Sequence, residues 1–345
     1  MAQINKSSEY FNTLLHTGDG TDGRAITGVG FQPDWCWFKA RNTAYENQVY
    51  DVVRGATKRL VTNDTTAEGT QANGLQSFDS DGFTVGNANG TNVNAVTYVS
   101  WNWLADNTSG SSNTDGSITS TVSANTTNGF SIVRYTATGS ATNFGHGLGT
   151  APSVVIIKDI NGTTGSGWLV GHAAIGMTNY LKLNTTAQSV SSTAVFSQNA
   201  SSSLVYIGNS AAVSESGKDY IAYCFAEKKG FSKFGSYTGN GSTDGIFIYT
   251  GFKPAWFMIK KSSAAGDSWV IIDNTRFPYN YVDKFIYADE ADAESGSAER
   301  LDILSNGIKL RATHPFINTS GATYIYMAFA ENPLVGTNNI PATAR

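Results

Sequence analysis

Charge and cysteine are scarce in this chain of 345 residues, and long apolar runs are missing. Charged residues make up 14% of the sequence and the formal net charge is −4, so the clustered Lys and Arg that displace counterions from nucleic acids are absent. No apolar run is long enough to span a bilayer, and residues 1–18 contain no apolar core of a secretion signal. Cys36 and Cys224 lie in separate aromatic segments, which indicates buried free thiols rather than a disulfide. We therefore predict no nucleic-acid partner, no membrane insertion and synthesis in a bacterial-type cytoplasm.

Signatures of catalysis and of metal binding are also missing. A glycoside hydrolase needs two carboxyl groups that flank a cleft, but the acidic residues 79–81 are interpreted as a hairpin turn and residues 289–294 as a solvated loop. The four histidines show no zinc spacing, and no phosphate loop or Gly-x-Ser-x-Gly elbow is present. Residues 19–23 resemble a calcium loop, yet Gly30 stands where an EF-hand needs Glu, which leaves a looser turn site as an alternative. We predict a protein that is not an enzyme and has no catalytic residue, no metal and no cofactor.

Glycine and aromatic residues are abundant instead. The chain contains 36 Gly, and 12% of its residues are aromatic, a composition typical of short pleated strands joined by many turns. Turn signals recur every 8 to 12 residues or so, as they do in sandwiches and jelly rolls. The predicted fold class is therefore all-β, with very little helix.

One short segment occurs three times along the chain and reveals an internal repeat. In each copy a proline precedes a lysine by six positions, and the lysine follows an apolar strand. A closing aromatic segment that begins with tyrosine also recurs in each copy. Self-similarity at regular spacing indicates tandem copies of one structural unit. The markers are Pro33, Pro152 and Pro254, then Lys39, Lys158 and Lys260, and finally Tyr98, Tyr220 and Tyr324.

The repeat predicts three tandem β-sandwich modules of jelly-roll-like form. We place module 1 at residues 1–107, module 2 at 128–230 and module 3 at 231–333, with a polar linker at 108–127 and a C-terminal tail at 334–345. All three modules should share one strand topology. Because the linker is rich in Ser, Thr, Asn and Gly, we expect module 1 to be hinged or merely tethered, while modules 2 and 3 pack closely.

The residues most alike between the copies are interpreted as architectural. The strand that ends at each repeated lysine is almost continuously apolar, which predicts burial on both of its faces. The lysine itself should carry its charge outward or pair with a facing aspartate, Asp51 or Asp273. Trp256 and Phe329 should lie in the core of module 3.

Three motifs of module 1 also carry a resemblance to a known class of proteins. They are Gly-Phe-x-Pro-Asp-Trp-x-Trp-x-Lys at 30–39, Asp-Val-Val-Arg-Gly at 51–55 and Phe-Asp-Ser-Asp-Gly-Phe at 78–83. The chain resembles, in three copies, a repeat β-sandwich module of virion structural proteins from tailed, marine-type bacteriophages, a module that is lectin-like in appearance. The resemblance implies a role in tail fibres, tail tips or capsid surfaces and brings no catalytic residues. The second copy departs most, with Val154 in place of Trp35 and His172 in place of Asp51.

Three functional hypotheses follow. The first is a bacteriophage virion structural protein, associated with a tail or fibre, that presents β-sandwich surfaces for assembly and for attachment to a host-surface glycan. The second is a capsid decoration or head-fibre protein. The third, disfavoured because no carboxylate pair is found, is a polysaccharide-degrading enzyme. We expect location on the virion and other virion proteins as partners, and the oligomeric state is left open, with a homo-oligomer as one option.

A recognition surface should lie on turns, because the sheet faces are used for core packing. Two Gly-rich turns and the irregular segments 42–47 and 274–283 supply the candidates. Their tyrosines could offer flat rings to a sugar or could simply cover a sandwich edge. The candidate residues are Asp19, Asp22, Tyr45, Asn240, Asp244, Tyr279 and Tyr281.

Overall fold

A computed structural model describes residues 3–162, 167–336 and 341–342, and its regular structure is almost entirely β, which confirms the predicted all-β class. The helical pieces are single turns. Of the predicted C-terminal tail, residues 337–340 and 343–345 lie outside the described residues. The turns are α1 (Ala211–Ser214), α2 (Pro315–Asn318) and the 3-10 turns Ser7–Glu9 and Ala173–Ile175.

Module 1 consists of two facing sheets. The larger has the order β1-β9-β3-β4-β5-β6 and the smaller has the order β2-β8-β7. A two-residue turn joins β7 to β8, so the acidic residues 79–81 do form the predicted hairpin turn. The strands are β1 (Phe11–Thr17), β2 (Arg24–Thr27), β3 (Trp35–Ala40), β4 (Gln48–Asp51), β5 (Lys58–Val61), β6 (Gly69–Thr70), β7 (Leu75–Asp79), β8 (Gly82–Val85) and β9 (Thr97–Trp103).

Module 2 contributes an eight-stranded sheet and a separate two-stranded sheet. The larger sheet has the order β10-β11-β12-β19-β14-β15-β16-β17, and the smaller sheet pairs β13 with β18. The strands are β10 (Ser111–Asn113), β11 (Ser120–Asn125), β12 (Phe130–Thr136), β13 (Thr142–Gly145), β14 (Val154–Asp159), β15 (Trp168–His172), β16 (Asn179–Lys182), β17 (Val190–Ser191), β18 (Leu204–Ile207) and β19 (Asp219–Phe225).

Module 3 forms one continuous sheet of order β20-β27-β22-β23-β24-β25-β26-β21, which folds over so that β21 and β26 cover β22. Its strands are β20 (Ser232–Thr238), β21 (Phe247–Tyr249), β22 (Phe252–Lys261), β23 (Val270–Asp273), β24 (Val282–Tyr287), β25 (Ser295–Leu304), β26 (Gly307–Leu310) and β27 (Thr323–Pro333).

The same strand order appears three times. The opening strand of each module pairs with the closing strand, which pairs with the strand of the repeated lysine, and two further strands follow. The orders are β1-β9-β3-β4-β5, β12-β19-β14-β15-β16 and β20-β27-β22-β23-β24. A second pairing also recurs, as β2 with β8, β13 with β18 and β21 with β26. A three-dimensional superposition of the copies stays a prediction.

Each lysine-bearing strand is buried on both faces, as its apolar sequence predicts, because each face meets a different core. One face packs against the smaller strand pairing of its own module; in module 1, Phe38 contacts Phe83 of β8, and Cys36 belongs to the same cluster. The other face carries Trp35 and Trp37 into an aromatic cluster drawn from all three modules, here called the central core. Both cysteines are buried and free, as predicted.

The central core overturns the prediction that module 1 is only tethered. Phe11 of module 1 stacks on Phe329 of module 3 with ring centroids 5.4 Å apart, and Trp35 stacks on Tyr223 of module 2 at 4.6 Å. Trp256 and Phe329 are buried as predicted, but in this shared cluster rather than in the private core of module 3. The predicted flexible linker is also wrong in part, because residues 111–113 and 120–125 are strands that extend the sheet of module 2.

Candidate functional site

A buried ion-pair cluster lies where module 1 meets module 2. The side chains of Asp51 and Arg54 are fully buried, with Arg54 Nε 2.5 Å from Asp51 Oδ2. Arg54 Nη1 lies 3.3 Å from Glu68 Oε2, and the hydroxyl of Tyr223, from module 2, donates to Asp51 Oδ2 at 2.7 Å. A carboxylate that accepts several hydrogen bonds beside a guanidinium is stable in its charged form. The cluster therefore links two modules through a buried charge.

The same cluster recurs where module 3 meets module 1. Asp273 and Arg276 are fully buried with Nε and Oδ2 2.5 Å apart, and Arg276 Nη1 lies 2.9 Å from Glu294 Oε1. The indole of Trp101, from module 1, donates to Asp273 Oδ2 at 3.0 Å. Trp101 thus occupies the position that Tyr223 has in module 2.

Module 2 lacks the charged cluster. The positions of Asp51, Arg54 and Glu68 are occupied by His172, Ile175 and Ser189. Met327 of module 3 stands where Tyr223 donates its hydroxyl in the first cluster. His172 Nε2 donates instead to the carbonyl of Tyr326 at 3.2 Å, and burial lowers the pKa of this histidine to about 4. A neutral imidazole suits a site that has lost its arginine and both acids.

The three interfaces are built alike and close a ring. At each interface a backbone N–H of one module donates to a carbonyl of the next module, and this carbonyl belongs to the second residue after the repeated lysine. A side-chain N–H also crosses each interface and donates to the carbonyl of the last residue of β5, β16 or β24. Equivalent contacts at every junction indicate a threefold arrangement of the repeat within one chain. The backbone bonds are Glu68 to Ile160 (3.0 Å), Ser189 to Ser262 (2.9 Å) and Glu294 to Arg41 (2.8 Å); the side-chain bonds are Trp168 to Val61 (2.7 Å), Trp269 to Lys182 (3.0 Å) and Asn47 to Tyr287 (3.0 Å).

The repeated lysines do not carry their charge outward, and they do not pair with Asp51 or Asp273, contrary to the prediction. Both aspartates are paired with arginines, and the lysines are buried. Burial lowers the pKa of each lysine to about 8. Their ammonium groups donate to backbone carbonyls: Lys39 to Ala291 (2.9 Å), Lys158 to Thr65 (3.0 Å) and Lys260 to Asp267.

The acidic residues 289–294 are not the solvated loop that the sequence predicts. The Glu294 side chain is nearly buried and forms ion pairs with two arginines. One is Arg276 of its own module, and the other is Arg41 of module 1, whose Nη2 lies 3.0 Å from Glu294 Oε2. The carbonyls of Glu290 and Ala291 accept bonds from module 1. This segment joins modules 3 and 1, because Glu294 pairs with one arginine from each of them.

Four of the predicted recognition residues hold their own turns together. Asp19 accepts a bond from the backbone N–H of Thr21, which lowers the pKa of the Asp19 carboxyl, and Asp22 accepts one from a glutamine side chain. Asn240 donates to the carbonyl of Asp244, and Asp244 pairs with Lys309 at 2.7 Å. Their polar atoms are used in turn formation, as is usual for Asp and Asn.

The three predicted tyrosines lie in different places. Tyr279 and Tyr281 are 80% and 49% exposed in the segment before β24. Tyr45 is half-buried and lines an open cleft in module 1. The structure therefore does not gather the predicted residues into one surface, and Tyr45 is the one that lines this cleft.

This cleft, here called the polar cleft, has a volume of about 470 Å³ and is lined mainly by amide side chains. Such a volume lies within the roughly 300–1,000 Å³ of small-molecule sites. Arg59 and Glu46 face each other at its edge, with Nη1 and Oε2 3.8 Å apart. Gln48, Gln71, Asn73, Asn87 and Asn89 supply the amides.

The floor of the polar cleft is a buried polar group within the private core of module 1. The Tyr50 hydroxyl lies 2.9 Å from Gln48 Oε1 and 2.9 Å from Gln71 Oε1. Two glycines make room for these side chains. A Cβ on Gly90 would lie 2.1 Å from the Gln48 side chain, and one on Gly74 would lie 2.3 Å from the Tyr50 hydroxyl.

Sequence reasoning missed Gln48 and Tyr50, although the repeat held the signal. At the Gln48 position modules 2 and 3 have Leu169 and Val270, and at the Tyr50 position they have Gly171 and Ile272. A polar pair at positions that are otherwise apolar marks a feature specific to module 1.

Carboxyl groups with a raised pKa belong to the scaffold rather than to a cleft. Burial raises the pKa of Asp34 and of Asp289 to about 6. Asp34 accepts backbone bonds from residues 105 and 107, and Asp289 accepts one from Trp269. Within the described ranges, no group of three or more His, Cys, Asp or Glu side chains is placed to hold a metal, and no helix is long and apolar enough to cross a membrane.

Comparison with known proteins places the chain in a family. A family model described as a domain of unknown function (DUF7483) matches residues 6–333, so the chain belongs to this family. The match runs through all three modules and thus treats them as one unit. A search of curated proteins finds no match.

Proposed function

For this member of the DUF7483 family, we propose the role of a bacteriophage virion structural protein, associated with a tail or fibre, that attaches to a host-surface glycan. The observation that supports the proposal is the central core, in which three modules share one aromatic cluster. A shared core holds the turns of all modules in fixed relative positions, which suits a protein that binds several neighbours at once. The sequence resemblance to virion β-sandwich modules points the same way.

A binding role is favoured over an enzymatic one. An enzyme that hydrolyses polysaccharides would need two carboxyl groups, one on each side of a cleft. Glu46 is the one acidic residue among those that line the polar cleft, and it faces Arg59. The cleft is thus equipped to bind and lacks the pair that hydrolysis needs.

Capsid decoration is a second candidate function, and an aromatic pair on module 3 favours it. Phe247 and Tyr249 are 41% and 57% exposed on β21, an edge strand, with ring centroids 6.4 Å apart. Modules 1 and 2 have Ala25 and Asn143 at the position of Phe247. Exposed aromatic side chains on a strand edge are suited to docking on another protein.

Imaging of virions tests the proposal. Particles of the phage that encodes the chain are labelled with a gold-conjugated antibody against the purified protein. Label on the tail or fibres is the expected result. Label confined to the shell would replace the proposal by capsid decoration, and purified particles without the protein would overturn both.

A further inference from the structure

We propose that the polar cleft of module 1 binds an uncharged sugar, with Gln48 and Tyr45 as its principal contacts. This inference rests on the proposed attachment function and names the ligand class of one site. It starts from the divergence of the repeat, because a site that binds one ligand needs to exist only once.

Gln48 is the central donor of the site. Its residue is only 2% exposed, and its Oε1 faces the Tyr50 hydroxyl. Among the described residues, its Nε2 donates no hydrogen bond, although the side chain lines the cleft. An amide N–H that lines an open cleft can donate to a ligand that enters the cleft.

Gln71 extends the same pattern. The Tyr50 hydroxyl has one proton and lies 2.9 Å from the amide oxygens of both Gln48 and Gln71, so it can donate to one of them at a time. Either amide can also turn over so that its NH2 group donates to the hydroxyl, and its oxygen can then accept from a group inside the cleft. Donors and acceptors side by side match the hydroxyl groups of a sugar, each of which both donates and accepts.

Charge argues for an uncharged ligand. Arg59 is the one basic residue among those that line the cleft, and Glu46 stands 3.8 Å from it. A carboxylate or sulfate ligand would gain from Arg59 but would also meet the charge of Glu46. A neutral polyol interacts with both groups without that repulsion.

Tyr45 supplies the flat surface that sugar rings need. It is half-buried and lines the cleft together with Asn73 and Asn87, whose side chains are joined by a 2.9 Å hydrogen bond. An aromatic ring can pack on the C–H face of a sugar while amides bind its hydroxyls. One ring and several amides in about 470 Å³ fit a mono- or disaccharide.

Saturation-transfer NMR on the full chain tests the proposal. The probes are methyl glycosides of glucose, galactose, mannose and N-acetylglucosamine, with methyl glycosides of glucuronic and sialic acid as acidic probes. The variants are Gln48→Leu, which introduces the residue of module 2, and Tyr45→Ala at the rim. Gln76→Leu is the matched control, because Gln76 lies in module 1 outside the cleft and binds Asp22.

We expect at least one uncharged glycoside to bind, and binding to weaken tenfold or more in Q48L and in Y45A. Tenfold equals about 1.4 kcal/mol, the size of one lost hydrogen bond. Q76L should stay within twofold of the unmodified chain. Y45A keeps the test decisive if Q48L fails to fold, since Tyr45 is half-buried and is not a member of the hydrophobic cores of the described residues. Binding of acidic probes only, no binding at all, or binding by both cleft variants that is as tight as binding by the unmodified chain would overturn the inference.

The outcome is separable from that of virion imaging. A chain located on tails that binds no uncharged glycoside would refute the cleft inference and leave the proposed function standing. A chain that is absent from virions but binds a glycoside through Gln48 would do the reverse.

Discussion

Replacing Arg54 by isoleucine should lower the free energy of unfolding by about 3–5 kcal/mol, the usual cost of removing one partner of a buried ion pair. Isoleucine is the residue that module 2 carries at this position, as Ile175, so its shape is compatible with the fold. The cost arises because Asp51 would stay buried and charged with no cation beside it.

The structure shows why the loss should fall at the upper end of this range. Arg54 also donates to the carbonyl of Lys58 at 2.8 Å and to that of Val49 at 3.3 Å, and it neutralises Glu68. The substitution would leave these acceptors without their donor. Since whole domains are stable by only about 5–15 kcal/mol, the change should be large in any unfolding assay.

A second variant separates lost charge pairing from lost packing. Asp51→His, Arg54→Ile, Glu68→Ser and Tyr223→Met together reproduce the residues of the uncharged interface between modules 2 and 3. Removing all charges at once leaves no charge uncompensated, so this variant should regain at least half of the stability that R54I loses.

Urea unfolding followed by tryptophan fluorescence provides the measurement. The expected order of midpoints is unmodified chain, four-residue variant and then R54I. The reasoning is refuted if R54I loses less than about 1 kcal/mol, or if the four-residue variant is no more stable than R54I.

Further predictions concern the core, the lysines and the thiols. Trp256→Ala should cost about 3–5 kcal/mol and shift one common unfolding transition for all modules, whereas a separate unperturbed transition in calorimetry would contradict a shared core. The pKa of Lys39, Lys158 and Lys260 is about 8 in the folded protein, against 10.5 in the unfolded chain. Between these two pH values the unfolded state binds more protons, so the free energy of unfolding should rise from about pH 8 to about pH 9.5. The variant K39M should reduce this rise, and a fall in the free energy of unfolding over this range would refute the prediction. Cys224, whose pKa burial raises to about 12, should react with iodoacetamide only in urea, and rapid reaction of the native protein would show an open core.

The presence of the strands in each module could be predicted from sequence for a physical reason. Strand β14 is apolar at Val154 through Ile157, and such a run indicates burial on both faces. Turn residues such as Gly82, with φ near +151°, mark the ends of strands because other residues rarely adopt that conformation. Local pattern therefore suffices for local structure.

The identity of the surface that buries a strand could not be predicted in the same way. Trp256 has the same apolar signature whether it packs inside module 3 or against Trp103 of module 1, 5.7 Å away. The polar linker also misled, since Ser123 lies in β11 and its hydroxyl donates to Asp106 at 2.6 Å. Composition cannot distinguish a flexible segment from a strand whose polar side chains are hydrogen-bonded to their surroundings.

The spacing of Asp and Arg did contain information about the interfaces. Asp51 and Arg54 recur three residues apart as Asp273 and Arg276, while module 2 has His172 in place of the aspartate. In module 2 both residues of the pair are replaced together. Such a joint replacement is expected when the two residues contact each other. Paired changes between the copies of the repeat therefore indicate which charged residues contact each other.

The pattern of divergence separates what holds this chain together from what it presents. The residues of the interface clusters change together between the copies. A cluster with an ion pair and a cluster with a neutral histidine each need a matching residue in the neighbouring module. Gln48 and Tyr50 face away from the central core, into the private core of module 1, and there a polar group replaces apolar packing without any counterpart in the neighbours. Modules 2 and 3 fold with apolar residues at these two positions, so the fold of the repeat does not require the polar pair. The pair is therefore the feature of module 1 on which the proposed sugar site depends.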